Sequence, residues 1–271
     1  MIGRLWLVLG VSFALSGMAA AAPARAIPRI AIIIDDLGYQ LEAGQRSIDL
    51  PGPVACAILP DTPRATALAE AAFANGKEVL LHLPLEAISE HRHTEPGVIL
   101  LDMSRDQLAN ALSANLESVP HAIGVNSHRG SLLTRHPGHM GWLMQEIRTH
   151  GDLVFVDSYT THKSVALQLA REIGVPAVKR DVFLDPDRSP ETVAREFRRL
   201  KELAKQRGAA VGIGHPYPAT LALLEREIPK LRDDGIELIR INELVLLNHK
   251  QLTGTVVLAT GSVSRAGEET R

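Results

Sequence analysis

The chain has 271 residues, a formal net charge of −2, 45% apolar residues and only 4% aromatic ones. A near-neutral balance argues against an extended basic surface for nucleic acid, and scarce aromatics argue against a broad stacking platform for bases or long sugar chains. The length allows one large domain or two ordinary ones.

Residues 1–26 read as an export signal. Met1 and Arg4 precede an apolar run from Leu5 to Leu15, and small residues follow, ending in Ala24-Arg25-Ala26. A basic start, a short apolar middle and an Ala-x-Ala site are the parts of such a signal. Cleavage after Ala26, or within the Ala19 to Ala22 run, would release a soluble periplasmic protein. The alternative is an uncleaved anchor facing the periplasm, since Leu5 to Ala24 is just long enough to span a bilayer. The single cysteine, Cys56, sits in an apolar segment without a disulfide partner and reads as a small buried hydrophobe.

From residue 27 to 248, strand-like and helix-like segments alternate. Apolar strands are predicted at 30–34, 54–59, 78–81, 122–125, 153–156, 177–178, 209–213 and 237–241. Helical periodicity falls at 62–75, 104–118, 137–150, 164–173, 189–207 and 220–234. Five of these helices are followed by glycine (Gly76, Gly151, Gly174, Gly208, Gly235), the usual left-handed stop, and Ser189-Pro190-Glu191 is a strong helix start. Such alternation predicts an α/β fold with a parallel sheet, and one domain of this size favours a single (β/α) barrel. No Gly-x-Gly-x-x-Gly or P-loop follows the first strand, which removes the main nucleotide-binding reading. Residues 249–271 are expected to form a polar C-terminal tail.

Ionisable residues recur where the strands run out. The first strand, Ile30 to Ile34, ends in Asp35-Asp36. Two carboxylates at the carboxyl end of a buried parallel strand sit where α/β folds place their ligands; the competing reading is a pair of solvated loop acids. The third strand runs into His82-Leu83-Pro84-Leu85-Glu86, the fourth into Asn126-Ser127-His128-Arg129-Gly130-Ser131 and the fifth into Asp157-Ser158. Arg180-Asp181 follow the sixth, and the seventh ends Gly214-His215-Pro216. Each has a structural alternative: a lone His is commonly a hydrogen-bonded core residue, and Asp157 suits a helix cap. In a barrel, however, all these strand ends meet at one mouth. Asp and His without Cys suit zinc or a similar divalent ion held by three protein ligands. A carboxylate-pair glycosidase drawing on Asp35, Glu86 and Asp157 stays open. A Ser-His-Asp hydrolase is disfavoured by the lack of a Gly-x-Ser-x-Gly elbow.

The segments "IIDDLG", "HLPLE", "VNSHRGS" and "GIGHPYP", in that order, resemble the divergent branch of the polysaccharide deacetylase superfamily, and the likeness spans about residues 30–246. The resemblance implies an irregular seven- or eight-stranded (β/α) barrel and a metal-dependent hydrolase that removes N-acetyl groups from a carbohydrate, such as a cell-wall glycan derived from peptidoglycan. It implies Asp35 as general base, Asp36 and His82 as ligands of a divalent ion, zinc by preference, and His215 as the acid that protonates the leaving amine. The superfamily's second ligand His is replaced by Glu86, so the third ligand is expected to be His128, with Glu86 as the alternative. Arg180, or Arg129, is expected to orient the base, with Asp181 and Asp157 as further orienting groups. Asn126, Ser127, Arg129, Ser131 and Tyr217 are the candidate substrate contacts, with Tyr39 and Tyr159 as other stacking faces. A glycan-binding barrel that has lost the chemistry is the rival reading, favoured by Glu86 at a His position.

Overall fold

The computed structural model describes residues 26–88 and 95–261, with backbone alone for 252–261. The predicted leader, apart from Ala26, lies outside them, as do residues 262–271 of the predicted tail. Nine strands form one sheet: β1 (Arg29–Leu37), β2 (Ala55–Ile58), β3 (Val79–Leu85), β4 (Ala122–Arg129), β5 (Val154–Asp157), β6 (Ala177–Lys179), β7 (Val182–Phe183), β8 (Ala209–Gly214) and β9 (Glu237–Leu238). Their order is β6-β5-β4-β3-β2-β1-β8-β7, and every pairing is parallel. β9 pairs with Arg29 and Ile30 of β1, below the point where β2 joins at Ile33. The sheet curls into the predicted (β/α) barrel, but its ends, β6 and β7, do not pair with each other. The chain itself steps across that seam: Arg180 N–H donates to Asp157 O on one side and Asp181 N–H to Val211 O on the other.

The helices are α1 (Leu41–Ile48), α2 (Ala65–Ala74), α3 (Arg105–Ser118), α4 (Pro137–Thr149), α5 (Ala166–Ile173), α6 (Pro190–Arg207), α7 (Pro218–Glu227) and α8 (Ile241–Gly261). Strand alternation divides the apolar residues between two cores. In β1, Ile30, Ile32 and Ile34 face the helices, whereas Ala31 and Ile33 face the barrel interior with Ala55, Ala57, Leu80, Val154, Val156, Val211 and Ile213. Ile241, Leu244 and Val245 of α8 belong to the inner core, so α8 floors the barrel at one end. Side chains that continue the inward phase at the other end line its mouth.

Several boundaries differ from the sequence reading. α1 and the two-residue strand β7 are too short to show periodicity and went unpredicted. The apolar alternation at 237–241 ends early because the buried Glu78 carboxylate, on β3's approach, accepts the N–H groups of Ile241 and Asn242 and starts α8 there. That helix runs to Gly261, well past residue 248, where the domain was expected to end. The segment 220–234 is not one helix: α7 gives way to a short 3-10 turn, Ile228–Lys230, where Pro229 cannot supply a helical N–H. Among the described residues no helix is long and apolar enough to cross a membrane.

Candidate metal centre and active site

The mouth is organised by strand phase. Leu80 faces inward and so does His82 two residues on; Gly124, Asn126 and His128 follow the same rule on β4, as do Val211, Ile213 and His215 on β8. On β1, Asp35 is the inward residue after Ile33. A regular strand would then send Asp36 outward. Instead Asp36 adopts φ 60°, and pairing with β2 slips between Ile34 and Leu37. This left-handed residue, at a cost on the order of 1 kcal/mol, turns both neighbouring carboxylates into the same mouth.

Three donor atoms converge there. Asp36 Oδ1 lies 3.2 Å from His82 Nε2 and 3.0 Å from His128 Nδ1, and the two imidazole nitrogens are 3.1 Å apart. Ligand atoms of a tetrahedral zinc, about 2.0–2.1 Å from the ion, lie about 3.3–3.4 Å from one another, so this triangle fits one face of such a site. Asp36 Oδ1 is buried yet has no aligned hydrogen-bond donor, as expected of an oxygen that serves a cation.

The surrounding hydrogen bonds direct the lone pairs. Asn126 Nδ2 donates to Asp35 Oδ1 at 2.7 Å, which leaves its Oδ1 to accept from His82 Nδ1 at 3.0 Å. With its proton on Nδ1, the neutral His82 ring turns a bare Nε2 to the cluster. His128 is arranged the other way round: Nε2 faces Glu95 at 3.4 Å and Nδ1 faces Asp36. Glu95 in turn pairs with Arg129 at 2.6 Å.

Charge state follows from burial and neighbours. Burial pushes the Asp35 carboxyl above its ordinary range, partly offset by His82 and His215. Burial would also raise Asp36, but the facing His128 and His82 outweigh it and hold this carboxyl well below the usual range. For His82, burial favours the neutral ring, yet Asp35 and Asp36 raise its pKa to about 9. His215 faces Asp36 Oδ2 at 3.6 Å through Nε2, while its Nδ1 donates to Asp185 Oδ1 at 2.9 Å. Burial works against the His215 proton, but Asp185 and the charge of Asp35 raise its pKa overall. Asp185 is itself fixed by the His215 N–H and the Thr220 hydroxyl.

The structure thus brings Asp35, Asp36, His82, His128 and His215 together. It places the other expected residues differently. Glu86, the alternative ligand, does not join the cluster; its carboxylate accepts the Leu101 N–H at 2.6 Å. Asp157 lies on the outward phase of β5, where Ser164 Oγ and the Tyr159 N–H bind it, so it shapes a turn instead of orienting the base. Asp181 accepts the Val211 N–H across the seam and pairs with Arg207. Asn126 is fully buried between His82 and Asp35, which makes it a bridge and not a substrate contact. Ser127 accepts from the Ser158 N–H and Ser131 from the Ile88 N–H. Arg129 turns to Glu95. Arg180 donates to Ser158 O and Tyr159 O instead of to Asp35, with which it interacts only through its charge. Tyr217 stacks on His215 with ring centres 5.4 Å apart, and Arg188 covers its ring, so Tyr217 does border the site. Tyr39 is exposed beyond Gly38, and the Tyr159 ring carries Lys179.

Three residues carry no role in the sequence reading. Asp185 stands near Arg180-Asp181 among the strand-end ionisable groups, but the shortness of β7 hides that it follows a strand of its own. Thr220 and Glu95 carry no comparable signal, since one opens a helix and the other lies in a loop.

Comparison with known proteins bears on this arrangement. The profile of the family described as divergent polysaccharide deacetylase matches residues 32–245. The uncharacterized protein YibQ of Escherichia coli K12 is 34% identical over 83% of this chain and 69% of its own length. The crystal structure of the uncharacterized protein ATU2773 from Agrobacterium tumefaciens C58 superposes with a TM-score of 0.77 at 23% identity, covering 82% of this chain and 91% of that one. The Bc1960 peptidoglycan N-acetylglucosamine deacetylase shares the fold more distantly, with a TM-score of 0.50 at 13% identity over 80% of this chain and 87% of that one. By its matched length and its kinship with YibQ, the chain belongs to the divergent polysaccharide deacetylase family.

Proposed function

We propose that this protein is a metal-dependent hydrolase that removes acetyl groups from the amino sugars of a glycan. One observation carries the reading: Asp36 Oδ1, His82 Nε2 and His128 Nδ1 form a donor triangle with edges of 3.0–3.2 Å, flanked by the buried Asp35 carboxyl and a carboxylate-held imidazole. When bound there, a divalent ion such as zinc would supply Lewis acidity toward the amide carbonyl and acidify a water molecule. Asp35 is the base for the attacking water. Its pKa, raised by burial, brings it nearer the working pH, which makes a better proton acceptor than an ordinary aspartate. The Asn126 amide, donating to its Oδ1, holds it in place. His215 is the acid: Asp185 fixes its Nδ1–H and favours the protonated ring, so Nε2 can deliver a proton to the departing nitrogen. The proton taken by Asp35 and the proton given by His215 balance across one amide cleavage.

The rival reading of a glycan-binding barrel without the chemistry was favoured by Glu86 at a His position. The metal-dependent reading is supported instead by His128, which offers a third donor beside Asp36 and His82 while Glu86 binds the Leu101 N–H. The carboxylates that a glycosidase would draw on beside Asp35 have other partners: Glu86 accepts the Leu101 N–H and Asp157 the Ser164 hydroxyl. Export of the mature chain to the periplasm is part of the proposal and rests on the leader-like composition of residues 1–26; cell fractionation with N-terminal sequencing tests it, an intact Met1 in the exported form refuting cleavage. The activity is tested by acetate release from N-acetylated chitooligosaccharides by metal-stripped protein given zinc, cobalt or manganese. Metal-dependent acetate that disappears in Asp36→Ala is the expected result. Absence of acetate with every metal and glycan tried, or a new reducing end in its place, would overturn it.

A further inference from the structure

The barrel seam opens into a cleft of about 420 Å³, within the range of about 300–1,000 Å³ usual for small-ligand sites. Among the described residues its wall carries four cations, Lys179, Arg180, Arg199 and Arg207, against two carboxylates, Asp181 and Glu196. Those carboxylates are already engaged. Asp181 holds Arg207 and the Val211 N–H, and Glu196 is shared between Arg199 and Arg195. Lys179 lies over the Tyr159 ring at 4.2 Å, and Arg180 is pinned by two main-chain carbonyls; neither forms an ion pair among the described residues. In a chain of net charge −2, this is a local surplus of positive charge that bulk composition conceals.

Two side chains of the cleft wall lead to the mouth. The Arg180 guanidinium stacks on Phe183 at 4.9 Å, and the Phe183 edge meets the His215 ring at 5.3 Å. A sugar whose acetamide reaches His215 would therefore set a neighbouring unit, or a substituent on its own ring, against the seam.

Building on the deacetylase reading, we propose that the seam cleft is an anion subsite that takes the carboxylate of an acidic N-acetylated glycan. Lys179 supplies a mobile point charge and the arginines supply planar donors that match a carboxylate. One carboxylate also does not exceed the surplus of two charges in the wall.

The test compares two probes of equal length on the full, zinc-loaded protein: chitotetraose, and a tetrasaccharide of alternating N-acetylglucosamine and N-acetylmuramic acid, which adds only lactyl carboxylates. Binding is read by calorimetry or by NMR shift perturbation at low and at physiological salt, and acetate release is measured separately. The expected result is a preference of about tenfold for the acidic probe, the effect of one charge-assisted contact, weakening with salt. In Lys179→Gln and in Arg199→Gln, both at exposed side chains, the ratio between probes should fall toward one. Equal binding of both probes, binding of neither, or a preference that survives both substitutions overturns the subsite. A preference that vanishes in the variants while neither probe yields acetate upholds the subsite and counts against the hydrolase reading alone.

Discussion

Replacing Asn126 separates the two halves of the site. Its side chain joins His82 Nδ1 to Asp35 Oδ1 with hydrogen bonds of 3.0 and 2.7 Å, entirely out of solvent. In Asn126→Ala both partners remain buried and lose the side chain that bridges them. Each unsatisfied group costs about 1–3 kcal/mol, so the metal-free protein should lose roughly 2–6 kcal/mol of stability. The His82 ring also loses the bond that fixes its tautomer and orientation, which lowers metal affinity by about 10–100-fold. Asn126→Asp should behave differently. A carboxylate can still accept from His82 Nδ1, so zinc affinity should stay near wild type, but like charge beside Asp35 must raise that residue's pKa further. The acidic limb of the pH–rate profile should then move to higher pH. Zinc affinity is measured by competition with a chromophoric chelator, stability by urea unfolding and the base by the pH dependence of kcat/KM. Wild-type zinc affinity in Asn126→Ala, or an unmoved acidic limb in Asn126→Asp, would refute the bridge.

Three further outcomes are expected. Asp185→Asn removes the carboxylate that holds the His215 proton, so the alkaline limb of kcat/KM should shift to lower pH and the rate should fall by about 10–100-fold, read from full pH profiles. His82 has a pKa of about 9 without metal, above the ordinary value of 6.5, so its protonated form stabilises the metal-free fold below pH 6.5 and that contribution is lost as pH rises through about 9. Metal needs the neutral ring, so zinc binding at pH 7.5 should release a proton and apparent affinity should fall about tenfold per pH unit below 9; calorimetry in two buffers of different ionisation enthalpy counts that proton. Glu86→Gln keeps an acceptor for the Leu101 N–H, so chelator competition should find zinc affinity within about threefold of wild type, with a stability loss of about 1 kcal/mol.

Strand phase explains what the sequence could and could not disclose. His82, Asn126 and His215 each lie two residues beyond an inward apolar or glycine position, and His128 lies two beyond Asn126, so their convergence follows from alternation once a barrel is assumed. Asp157 breaks that phase and Asp35 keeps it, a distinction available from Val154, Val156 and Ile33 but overlooked in favour of residue type. Asp36 could not be placed by alternation, because its position depends on a left-handed φ that no apolar pattern reports. Glu86 was misleading for the opposite reason: its spacing from His82 fits a helix, whereas β3 continues to Leu85 and carries Glu86 away from the cluster. Glu78 and Glu95 act through partners far along the chain, and pairings at such separations leave no local trace.

The central position of β1 has a consequence for how the chain assembles. Its two edges are claimed by β2 and β9 on one side and by β8 on the other, so the strand that carries both mouth-facing aspartates is half-paired until residues 209–238 exist. Contacts so distant in sequence form slowly, and the nascent polypeptide cannot complete its sheet ahead of synthesis. Maturation of the aspartate turn is therefore tied to arrival of the last quarter of the molecule, and a truncation before β8 should leave a species with an open hydrophobic edge instead of a smaller folded domain.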